Sequence, residues 1–122
     1  NMVQLRSYLV PADNSGAKKF MIIGVPGRIG KIATLGQVVL CVVKGCDPNG
    51  AVKDHDKVKV LIVRTKKEVK RFDGTYVRFD DNAGVVIDKQ GMPLGTRVLG
   101  PIAREVKEAG FHKIASLARE VV

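Results

Sequence analysis

Residues 37–46, QVVLCVVKGC, form a nearly continuous apolar run of strand length, and no other feature narrows the fold as far. A run so rich in valine favours a strand, and one so evenly apolar needs cover on both sides, as inside a small barrel. Asp47, Pro48, Asn49 and Gly50 close it with strong turn chemistry. The rest of the chain repeats the pattern of short runs and turns. Residues 3–10 alternate loosely and stop at Pro11, which cannot donate to a ladder. Asp13, Asn14, Ser15 and Gly16 make a reversal, and residues 20–25 follow as a strand. Residues 57–65 begin Lys57, Val58, Lys59, Val60 and then turn wholly apolar, which predicts an exposed end running into a core. Residues 76–79 and 84–87 complete the set. Short strands at this spacing predict a mainly β chain, a closed or half-closed barrel.

The length of 122 residues suits one domain, and 45% hydrophobic content supports one core without disulfide staples. The last quarter changes period. Pro101 suits the first position of a helix, Ile102, Ala103, Val106 and Ala109 share one face, and Gly110 is placed to end it. Ile114, Leu117 and Val121 repeat at roughly helical spacing, which predicts a second short helix within residues 111–122. The expected organisation is a single domain over 1–122, barrel to about residue 100 and helical from about 101 to 122.

Charge narrows the function. Residues 63–82, VRTKKEVKRFDGTYVRFDDN, hold six Lys or Arg against four acids around a turn at Asp73 and Gly74. Arg64, Lys66, Lys67, Lys70 and Arg71 lie on the incoming limb and Arg78 on the outgoing one, so a β-ribbon with a buried base and a highly charged arm is expected. The formal net charge of +9 exceeds what solubility requires and points to a phosphate-rich partner. A membrane surface is the poorer fit, because the chain has no long basic amphipathic helix, no lipidation motif and no apolar run near the ~20 residues of a span. Aromatic platforms are sparse: Phe72, Tyr76 and Phe79 are the only cluster. Phosphate and shape recognition of folded RNA therefore fits better than reading of single strands. Residues 26–36, with Arg28 and Lys31 among glycines, form a second candidate RNA contact.

Catalysis has little support. His55 and His112 are far apart in sequence, and Asp54, His55 and Asp56 read as a polar turn. Asp80 and Asp81 are adjacent, which in a strand sends them to opposite faces. Cys41, Cys46 and His55 match no zinc spacing, and the stretch GVPGRIG at residues 24–30 lacks the lysine and hydroxyl of a phosphate loop. Cys41 and Cys46 are expected to be reduced thiols. No catalytic residue, metal, cofactor or small-molecule substrate is expected.

Several segments together resemble one family: ADNSGAKK at residues 12–19, VRTKKEVKRFDGTYVRFDDNA at 63–83, GTRVLGPIARE at 95–105 and KIASLAREVV at 113–122. They are similar, in the family's order and length, to the universal large-subunit ribosomal protein fourteen in its bacterial or organellar form. The resemblance implies a five-stranded barrel with a projecting basic ribbon and short C-terminal helices, seated on large-subunit rRNA near the subunit interface. It implies rRNA contacts at Arg64, Lys66, Lys67, Lys70, Arg71 and Arg78, with Lys18 and Lys19 as lesser candidates. It further implies contacts with large-subunit proteins three and nineteen, and a bridge to small-subunit rRNA. A surface at Thr96, Arg97, Lys113 and Ser116 would dock a ribosomal silencing factor. The implied location is the ribosome, in a bacterial cytoplasm or an organelle matrix such as the mitochondrion. Val60, Asp54, His55 and Arg119 depart from the family's usual residues. The competing reading is a barrel-type regulator that binds a protein through residues 95–116, its ribbon serving only solubility.

Overall fold

The computed structural model describes residues 3–4, 7–25 and 32–122. Its core is a closed barrel of five strands, β2 (Tyr8–Pro11), β3 (Phe20–Gly24), β5 (Val38–Val43), β6 (Lys57–Arg64) and β9 (Ala83–Ile87), hydrogen-bonded in that order. Closure comes from the one parallel pairing, Val10 against Ala83 and Pro11 against Gly84. Pro11 ends β2 as the sequence predicts, and the next amide, Ala12 N–H, donates to the Gly84 carbonyl at 2.9 Å. Two smaller strand pairs were legible only in part. β1 (Val3–Gln4) pairs with β4 (Ile32–Ala33) outside the barrel, so the single strand expected over 3–10 is two. β7 (Val69–Lys70) and β8 (Tyr76–Val77) form the ribbon.

Strand alternation sorts the side chains into two cores. Leu9, Phe20, Ile22, Val39, Cys41, Val43, Val60, Ile62 and Val86 fill the barrel interior. Gly84 is required there, because a Cβ at that position would overlap the Val60 side chain. The second core lies outside the barrel wall. Leu61 and Val63 of β6 and Ala83, Val85 and Ile87 of β9 are covered by Val98, Ile102, Val106 and Ile114. This double cover explains why β9 is buried at all five positions and β6 at its last five.

The helical segment is shorter than its periodicity implied. α1 spans Arg104–Glu108 and α2 spans His112–Leu117. Pro101 does not start α1: Ile102 bridges in parallel to Val121, its N–H donating to the Glu120 carbonyl at 3.0 Å and its carbonyl accepting from Val122 N–H at 2.9 Å. The tail is thus extended, as β-branched Val121 and Val122 prefer. Gly110 ends α1 as expected, with φ of +100°. Among the described residues no helix is long and apolar enough to cross a membrane.

Candidate nucleic-acid interface

β6 leaves the barrel at Arg64 and the chain enters the ribbon, which reverses at Asp73 and Gly74. Gly74 has φ of +87°, and the Asp73 carboxylate accepts the Thr75 N–H at 3.0 Å and its hydroxyl at 2.6 Å. These hydrogen bonds hold the Asp73 carboxyl below the usual carboxylate range. The ribbon is anchored along one face. Val77 belongs to the interior cluster, with Val69 and Phe79 packed against it, while Lys70, Tyr76 and Arg78 stay exposed. At the base, the Asn82 side-chain oxygen Oδ1 accepts Lys66 N–H at 2.8 Å, fixing where the cationic limb begins.

The six ribbon cations divide into two kinds. Arg64 is buried: Nε donates to Asp81 Oδ1 at 2.8 Å, and Nη1 donates to the carbonyls of Leu99 at 2.7 Å and Pro101 at 3.0 Å. Arg71 is pinned to α1, with Nη2 donating to Glu105 Oε1 at 2.9 Å and to the main-chain oxygen of Val122 at 2.6 Å. The two guanidinium groups tie the ribbon to the C-terminal segment. Lys66, Lys67, Lys70 and Arg78 are exposed, and no lysine takes part in an ion pair among the described residues. Lys18 is exposed, and the exposed Lys19 places Nζ 4.5 Å from the centroid of the Tyr8 ring. The candidate contact at residues 26–36 lies partly outside the described residues, Arg28 and Lys31 included. Within the described part, Ala33 pairs in β4 and Leu35 is buried.

Of the aromatic cluster, Phe72 and Tyr76 stand in solvent and Phe79 is half-buried. Phe72 at the tip touches little of its own protein. The residues that the resemblance implies for a partner surface fall on two sides of α2. Thr96 and Arg97 line a shallow hollow with Leu99, Leu117 and Arg119, and Ser116 lines another with Arg104, Lys107 and His112. Lys113 is exposed on α2. The Asn14 side-chain oxygen accepts the N–H groups of Thr96 at 2.7 Å and Arg97 at 3.0 Å, so this loop is held to the turn after β2.

No three His, Cys, Asp or Glu side chains converge on a metal position among the described residues. Both cysteines are free thiols, and burial inside the barrel pushes Cys41 up to about 12. Across residues 2–122 the chain matches the family described as ribosomal protein L14p/L23e. The chain belongs to that family. The large ribosomal subunit protein uL14 of Aquifex aeolicus is 58% identical over 121 residues, covering 99% of this chain and all of the relative. The proteins of the same name from Aquifex pyrophilus and a Hydrogenobaculum species are 57% and 53% identical over the same coverage. The L14p/L23e family is one of structural ribosomal proteins rather than enzymes.

Proposed function

We propose that this chain is a structural constituent of the large ribosomal subunit in a bacterial cytoplasm, and that Lys66, Lys67, Lys70 and Arg78 hold rRNA phosphates. Lys18 and Lys19 are lesser proposed rRNA contacts. The observation that carries this reading is the division of labour among the cations. Arg64 at the base of the ribbon and Arg71 beside its turn are consumed by protein acceptors, whereas the exposed ribbon lysines have no acidic partner among the described residues. Unneutralised cations on a rigid support suit a polyphosphate, whose bound counterions they release. Arg64 and Arg71 then act as positioning residues that fix the direction of the ribbon.

The family resemblance adds finer expectations. Large-subunit proteins three and nineteen are proposed neighbours, together with a bridge to small-subunit rRNA. Thr96, Arg97, Lys113 and Ser116 form the proposed docking face for a ribosomal silencing factor. The two hollows flanking α2 support this, since each brings exposed polar side chains beside Leu117 or Ala115.

The test is a triple replacement, Lys66→Gln, Lys67→Gln and Lys70→Gln, assayed for binding to large-subunit rRNA across a salt series. Affinity is expected to drop and the slope of log K against log salt to flatten by about 2 to 3. The thermal midpoint should stay where it is. An unchanged slope removes the ribbon from RNA binding. Co-sedimentation with large subunits through a moderate-salt wash separates this reading from a free regulator.

A further inference from the structure

The barrel wall is covered by the C-terminal segment on one side only. On the other side, strand register builds a second cationic surface. Tyr8 pairs with Met21, Met21 with Val42 and Val42 with Lys57, so the four side chains form one outward row across β2, β3, β5 and β6. In the next row Leu40 pairs with Lys59. On the opposite flank, Lys44 N–H donates to the Lys19 carbonyl at 2.8 Å, which brings Lys44 beside Lys19. Met21, Leu40 and Val42 are half-buried and Tyr8 is 50% exposed, giving an apolar strip. Lys19, Lys57 and Lys59 are exposed around it.

Cations outnumber the acids beside this strip. Asp54 and Asp56 sit in the turn before β6, where Asp54 Oδ1 accepts Gly45 N–H at 2.8 Å and its carboxylate lies within electrostatic reach of Lys44, and Asp56 Oδ2 accepts Lys53 N–H at 3.0 Å. Along β6, Lys57 is the first residue and Arg64 the last. At about 3.3 Å per residue the strip and the ribbon therefore lie roughly 20 Å apart. Strand geometry thus separates two sets of cations that composition alone merges.

We propose that the outer face of β2, β3, β5 and β6 is a second rRNA contact, one that holds an RNA segment different from the segment on the ribbon. Lys19, Lys57 and Lys59 meet its phosphates, and the strip of Tyr8, Met21, Leu40 and Val42 lies under its sugars and bases. The ring of Tyr8, already carrying the Lys19 ammonium, supplies a face on which a base stacks. The chain then works as a spacer between two RNA segments. This rests on the reading of the chain as an rRNA-binding protein.

The experiment compares two variants of the full chain on large-subunit rRNA, by salt titration and hydroxyl-radical footprinting. One carries Lys19→Gln, Lys57→Gln and Lys59→Gln; the other carries the ribbon replacements described above. The face variant is expected to flatten the salt slope by about 2 to 3 and to lose protections that the ribbon variant keeps. Arginine at the same three positions should restore both, and thermal melting should match wild type for each exposed-residue variant. Loss of the same protections in both variants overturns the proposal, because one segment then serves both surfaces. A face variant that binds and protects like wild type, beside an impaired ribbon variant, overturns it while sparing the ribbon. If neither variant changes the slope, RNA binding itself is refuted.

Discussion

The guanidinium of Arg64 meets the carboxylate of Asp81, seventeen positions further along the chain, twice: Nε to Oδ1 at 2.8 Å and Nη2 to Oδ2 at 3.4 Å. With Nη1 on the Leu99 and Pro101 carbonyls, one side chain ties the end of β6, the return limb of the ribbon and the approach to α1. Replacing Arg64 with alanine strands two carbonyls and a carboxylate. The expected cost is about 2 to 4 kcal/mol in chemical denaturation. Arg64→Lys should recover only part of it, since one ammonium cannot reproduce the planar fork. A loss below ~0.5 kcal/mol for the alanine variant would mean that the junction does not hold the fold.

Gly100 belongs to the same junction. Its φ is +77°, and a Cβ there would stand 2.6 Å from Arg64 Nη1. Gly100→Ala should therefore destabilise by about 1 to 3 kcal/mol, combining left-handed strain with displacement of the guanidinium. In an Arg64→Ala background the steric part disappears. A double-mutant cycle is expected to give a combined cost smaller than the sum, and strict additivity would contradict the contact.

Asp13 is a buried carboxylate that accepts Val86 N–H at 2.9 Å and the Ser15 hydroxyl at 2.8 Å. Desolvation raises its pKa above the ordinary value, against the opposing pull of those hydrogen bonds. A raised folded-state pKa contributes stability that is fully present below the unfolded value, near ~3.9, and is lost as pH rises through the folded value. Asp13→Asn removes this titration. Its cost, about 1 to 3 kcal/mol from the mismatched amide, should be largest in acid and shrink as pH climbs past that window. Urea melts from pH 3 to 7 measure it, and a cost that grows with pH would reverse the assigned direction.

His55 has φ of +69° and is the only described non-glycine residue in the left-handed region. Its side chain is exposed, and the 3.3 Å contact with Asp54 lies at the surface, where ion pairs contribute little. Glycine at this position removes steric strain of about 1 to 2 kcal/mol while adding freedom to the unfolded chain. His55→Gly is expected to stabilise by up to about 1 kcal/mol, seen as a higher thermal midpoint. A lower midpoint would indicate that the imidazole makes a contact of value.

How far the sequence reaches is visible in particular residues. Strand length, turn chemistry and the valine-rich runs were enough for a mainly β barrel with a charged ribbon at residues 63–82, because those signals are local and repeat at every strand. Gly110 ended a helix as expected for the same reason. The extent of the helices was not legible: the apolar spacing of Ile102 and Val121 resembles a helix face, yet these residues bridge each other across the tail. Nor could composition separate Arg64 and Arg71 from Lys66, Lys67 and Lys70. All five are cations in one run, and only folding brings Asp81, Glu105 and the carbonyls of Leu99 and Pro101 to the two arginines. The sequence by itself determined the sign and the approximate place of the charge. Tertiary structure decided which charges remain free, because neutralising a cation requires an acceptor within hydrogen-bond reach, and those acceptors come from parts of the chain that meet only when the barrel closes.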